Sequence, residues 1–197
     1  MMRKTLLIIT FFSLNIAYCQ SDTLRRGTIG YFLKNAVEKE SEKKYEEAII
    51  ITDSAMTIDS NNENIYGVKA EILWMMKNYY QAALNYQKAL LLDKDRSFLN
   101  GAYLFLGVLY EKAGLRVHAQ TQYLKAIYFF EHRKRNDDKY FANVNKIDYA
   151  IALKLSGNEK VWEKLLDEPF YQRLRLVYIG KSRDEILEMY FKQFCGG

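Results

Sequence analysis

An all-α fold, a stack of antiparallel helical hairpins of the α-solenoid kind, is predicted by this sequence from three observations. The chain resembles itself at a fixed offset of 34 residues: Tyr45-Glu46-Glu47-Ala48 returns as Tyr79-Tyr80-Gln81-Ala82, Ala55 as Ala89 and Asp59 as Asp93. Apolar residues recur in steps of three and four, which puts them on one face of a helix. Only one proline and ten scattered glycines interrupt 197 residues, which leaves little room for long irregular loops.

The elements follow in order. A third copy appears as Ala119, Tyr123 and Ala126, now offset by 37 from Ala82, Tyr86 and Ala89. The three extra residues fit best at Ser97-Phe98-Leu99, before the next helix. Within this copy Tyr103, Leu106, Gly107 and Tyr110 form one helical face, and Lys112-Ala113-Gly114-Leu115 reads as a short turn. Gly114 suits a helix end because it takes a left-handed conformation without a Cβ clash. Each copy is therefore helix, tight turn, helix. Gly107 and the alanines at 48, 82 and 119 stand where two helices cross closely, and Tyr86 and Tyr123 fill the space beside. One hairpin cannot bury both of its faces, but a row of them makes a continuous core.

Tyr103, Leu106, Gly107 and Tyr110, followed by Ala119, Tyr123 and Ala126, resemble the tetratricopeptide repeat pattern. The resemblance implies a right-handed superhelical stack with repeats at 29–62, 63–96 and 100–133. The chain departs from the pattern at Asn35 and Lys39 in the first copy and at Lys69 in the second. Ser60 and Lys94 replace the usual closing proline. In such repeats the first helix of each hairpin lines a concave groove that holds a protein or peptide. Carried onto this chain, the groove would be lined by Leu33, Val37 and Glu40, then by Asn64, Gly67, Glu71, Trp74 and Met75. The third copy would add Leu104, Val108, Glu111 and Lys112. Leu33 and Val37 occupy the places of the lysine and asparagine that grip a C-terminal carboxylate in some relatives, so that ligand is not expected. In Trp74-Met75-Met76 the tryptophan fits packing near the turn, whereas two adaptable methionines beside it also suit a partner surface.

Beyond the third copy, Val144, Ile147, Ala150, Ile151 and Leu153 form an apolar stripe, Ser156-Gly157-Asn158 a turn, and Val161, Trp162, Leu165 and Leu166 a second stripe. This predicts a degenerate fourth hairpin over 137–167. Residues 168–197 hold Pro169, a capping box at Ser182 and Glu185, and an amphipathic run with Ile186, Leu187, Tyr190 and Phe191, expected to cap the stack. The basic run His132–Arg135 is followed at once by Asp137 and Asp138, and reads as a solvated connector.

The N-terminus differs in kind. Arg3 and Lys4 precede an apolar stretch from Leu6 to Ala17, too short for a span of about 20 residues. This is the pattern of a cleavable signal, with 1–19 removed and 20–28 a short linker. Ile16-Ala17-Tyr18-Cys19 also resembles a lipoprotein box, which would acylate Cys19 and bring membrane contact. Tyr18 departs from the small residue usual there. Cleavage lowers the basic count from 29 to 27 against 24 acids, a net charge that does not point to nucleic acid. Cys195 is then the last cysteine, so no internal disulfide can form.

No metal-ligand spacing surrounds His118 or His132, and no phosphate loop or nucleophile motif occurs, so neither cofactor nor metal is expected. The reading is an extracytoplasmic (periplasmic or secreted) scaffold that binds a protein without catalysis. It would serve an envelope complex or act as an immunity-type toxin-binding protein. The alternative classes are a cell-wall hydrolase using acids of the fourth hairpin, and a homo-oligomer assembled through a stack end.

Overall fold

The computed structural model describes residues 25–93, 101–136 and 143–195, with side chains for 25–93, 101–132 and 146–190. The expected signal with Cys19, the insertion at 97–99, the acidic part of the connector at 137–139, and the side chains of 133–136 and of Cys195 lie outside the described residues. No strand occurs among those described. Helix α1 covers 25–41, so residues 25–28, assigned from sequence to a linker, are already helical. It is followed by α2 (Tyr45–Ile58), α3 (Glu63–Met75), α4 (Tyr79–Leu92), α5 (Ala102–Lys112), α6 (Arg116–Asn136), α7 (Asn143–Leu155) and α8 (Glu159–Leu166). A 3-10 turn at Pro169–Tyr171 leads into α9 (Gln172–Tyr178) and α10 (Arg183–Cys195).

The same turn closes every hairpin. Lys43, Lys77, Gly114 and Gly157 all have left-handed backbone, with φ of 60°, 60°, 80° and 80°. At each, two hydrogen bonds tie the chain back onto the finished helix. In the third hairpin the N–H of Leu115 donates to the carbonyl of Tyr110 at 2.8 Å, and that of Gly114 to Glu111 at 2.9 Å. Lys44 to Lys39, Asn78 to Leu73 and Asn158 to Leu153 repeat the longer bond in the other three. This arrangement satisfies carbonyls that the helix end would otherwise leave open. Two of the four turns use lysine, which bears a steric cost that glycine avoids.

Positions counted from these turns are equivalent. Seven residues before stand Ala36, Ala70, Gly107 and Ala150, all buried. Five residues after stand Ala48, Ala82, Ala119 and Trp162. The first three let the paired helices approach closely. Gly107 is the tightest point, since a Cβ there would lie 2.5 Å from the Tyr123 ring. Trp162, only 3% exposed, fills the crossing in the fourth hairpin. The small-residue signature is lost there while the fold is kept.

Packing runs from each helix to the next in sequence, from α2 through α8. The main core extends from Leu73 on α3 to Tyr190 on α10, and two smaller clusters join α1, α2 and α3 around Ile65 and Ile72. The 3-10 turn and α9 pack on α8, and Tyr178 meets Trp162 edge-on at 6.2 Å. Helix α10 does not continue this order but returns to α7.

Lys77→Gly is expected to raise unfolding stability by about 1 kcal/mol, because it removes the left-handed strain. Gly107→Ala should lower it by about 2 kcal/mol through overpacking. The double variant Gly107→Ala/Tyr123→Leu should lose less than the two single changes combined. Urea denaturation of the unaltered protein, Lys77→Gly, Gly107→Ala, Tyr123→Leu and the double variant checks all three expectations.

Candidate partner-binding groove

The first helix of each hairpin, α1, α3, α5 and α7, carries one residue six positions before the turn that faces the inner side of the stack. These are Val37, Glu71, Val108 and Ile151. Their exposure changes abruptly along the row. Val37 is 46% exposed and Glu71 is exposed, whereas Val108 and Ile151 are each 1% exposed. At this position the row is open in the first two hairpins and buried in the last two.

Helix α10 packs on the buried half. Arg183, at its start, donates through Nε and Nη2 to Glu111 at 2.6 and 2.9 Å. Glu111 also accepts from the Tyr123 hydroxyl at 2.7 Å, and the Arg183 guanidinium lies 5.8 Å from the centre of the Tyr123 ring. One turn further on, Glu188 pairs with Lys112. Glu111, Val108 and Leu104 share one face of α5, in steps of three and four. Helix α10 holds Glu111 on that face and packs along α7. Ile186, Leu187 and Tyr190 complete the contact, each less than 5% exposed. Tyr190 lies near Asp148 of α7 and Tyr86 of α4, and burial raises its hydroxyl well above the usual range.

The residues expected to line the groove thus divide into three sets. Leu104 and Val108 are buried, and Glu111 is held by Arg183. Leu33 and Asn64 meet at a cleft of about 550 Å³ between the start of α1 and the α2–α3 turn, where Arg25 pairs with Asp59 at 2.6 Å. Val37, Glu71 and, partly, Met75 remain on the open inner face. Trp74 is not a surface residue. It is 5% exposed and packs on Phe105 with ring centres 4.8 Å apart, leaving Met76 as the exposed member of its trio. The amphipathic residues that occupy the groove, Arg183 to Tyr190, were legible as a helix with a capping box. Nothing in their spacing gave their destination.

Two carboxylates lie within electrostatic reach of each other in the open half. Burial and the nearby charge of Glu40 raise the Glu71 carboxyl above its ordinary value, and burial raises Glu40 as well. In the covered half, Asp148 sits against Gly101 at the start of α5, and burial pushes its carboxyl up to about 6. Among the described residues no group of three or more histidine, cysteine or acidic side chains could hold a metal ion. No described helix is long and apolar enough to cross a membrane.

No family model matches this chain, and no curated protein matches it. Among solved structures it is similar to that of MamA, at 15% identity and a TM-score of 0.49, over 85% of this chain and 81% of that one. The tetratricopeptide-like fold stands on the turns and packing described above.

Because Asp148 holds its proton to higher pH in the folded chain than unfolded, its contribution to stability is present near pH 4 and lost as pH rises through 6. Asp148→Asn is therefore expected to stabilise the protein by about 1–3 kcal/mol at pH 7.5 and by little at pH 4. Thermal or urea unfolding at the two pH values reads the difference.

Proposed function

We propose that this chain is an exported, non-catalytic scaffold that holds a protein partner against the inner face of its first two hairpins. One observation carries the reading: Val37 and Glu71 stand open at positions whose counterparts, Val108 and Ile151, are buried where α10 packs along α7 and holds Glu111. The turns that place a helix-holding surface in one half of the stack recur in the other half. The exposed apolar Val37 and the carboxylates of Glu40 and Glu71 suit a segment presenting apolar and basic side chains. The signal pattern at residues 1–19 supports placing this activity outside the cytoplasm. An envelope-complex subunit and an immunity-type toxin binder both use such a surface.

The mature protein should recover a partner from cell-envelope extracts. The double variant Val37→Asp/Glu71→Lys should lose at least about tenfold in affinity, or 1.4 kcal/mol, with an unchanged circular dichroism spectrum. A partner kept at full affinity by that variant removes this face from the reading. Intact mass should show a chain beginning at Gln20, and a diacylglycerol mass on Cys19 would replace secretion by anchoring.

A further inference from the structure

The covered half of the groove holds a helix of this chain, and four features make that helix separable from the stack. First, the stack does not need it for continuity, because α5, α6, α7 and α8 pack in sequence without it. Second, α10 is helical on its own terms at its start. The Ser182 N–H donates to the Glu185 carboxylate at 2.8 Å, the Glu185 N–H to the Ser182 hydroxyl at 3.2 Å, and Lys181 pairs with Glu185 at 3.0 Å. This reciprocal cap travels with the helix.

Third, the connection is short and exposed. Tyr178 is anchored on Trp162, but Ile179, Gly180, Lys181 and Ser182 are all exposed, and Gly180 has a φ of 73°. Fourth, two ion pairs at the near end, Arg183 with Glu111 and Glu188 with Lys112, align the helix in one register. Their partners come from the last turn of α5. Against release stands the apolar face of Ile186, Leu187 and Tyr190, which water would meet at high cost. A helix that replaces α10 must therefore offer α7 a like apolar face and Glu111 a like cation.

From these observations we infer that the inner face of the third and fourth hairpins is a helix-binding groove that α10 occupies in the resting chain. The helix swings out about residues 179–182 when an amphipathic helix of a protein partner takes its place. The incoming helix carries the pattern of α10: a guanidinium for Glu111, then apolar residues three, four and seven positions later. The inference goes beyond the open-half reading and depends only on the chain being a binding scaffold.

Native-state hydrogen exchange of the full mature chain tests it without a partner. In the unaltered protein, α10 amides should exchange at least tenfold faster than those of α5 and α7. Arg183→Ala, and separately Glu188→Ala, should accelerate α10 further and leave α6 unchanged. A synthetic peptide of residues 181–195 added to Arg183→Ala should bind and should compete with the chain's own α10, accelerating α10 exchange again. Exchange of α10 at the common rate of α5 and α7, in the unaltered protein and both variants, would make it an integral part of the core and overturn the inference. Failure of the peptide to bind would do the same. Neither outcome touches the open face, which is read separately through Val37 and Glu71.

Discussion

The left-handed residue that closes each hairpin sets how its two helices meet, and the other contacts are arranged around it. At Lys43, Lys77, Gly114 and Gly157 the backbone turns back within three residues and returns two N–H groups to the helix just finished. The next helix then starts close against the first. That closeness demands alanine or glycine where the helices cross, and it aims a fixed set of first-helix positions at the inner side. Four equivalent turns give four equivalent frames, so a residue's environment can be read from its distance to the nearest turn.

Within those frames the fillers vary. Nine residues after the turns stand Thr52, Tyr86, Tyr123 and Leu166. Thr52 is buried and satisfies its hydroxyl on the Ile49 carbonyl at 2.8 Å, the local bond that makes threonine tolerable inside a helix. Tyr123 brings its ring so near that only glycine fits opposite at position 107. Its hydroxyl continues through the gap to Glu111. Leu166 cannot make that polar link, and the fourth hairpin replaces the alanine of the crossing with Trp162. Repeat identity is thus a matter of volume shared between positions. This is why the fourth copy lost its signature without losing its fold.

Glu111 connects the core to the groove. Its carboxylate collects the tyrosine hydroxyl from inside the hairpin and the guanidinium of Arg183 from outside, with its side chain only 5% exposed. A nearly buried carboxylate without the arginine would be costly, so docking of α10 and the polarity of the third hairpin are linked. The open half has no such cation from α10. There Glu40 and Glu71 face each other with raised carboxyl affinities for protons. The same inner face is therefore neutralised by the chain itself at one end and left acidic at the other.

The hairpin architecture, its repeat spacing and the crossing residues were determined by the sequence alone. They rest on local rules: three-and-four periodicity, small residues at close approaches, and glycine at positions 114 and 157. The left-handed turns at Lys43 and Lys77 were not legible, because lysine there is imposed by the repeat and not favoured by its own chemistry. The path of the last helix was not legible either. Its cap and apolar spacing specify an amphipathic helix, and such a helix can lie over the end of the stack or along its inner face. Only tertiary structure decided between them, through Arg183 meeting Glu111 across 72 residues of chain. That pairing closes Glu111 to a partner, whereas Val37 and Glu71 stand open. Which groove residues can meet a partner is thus set by long-range packing, to which local spacing is blind.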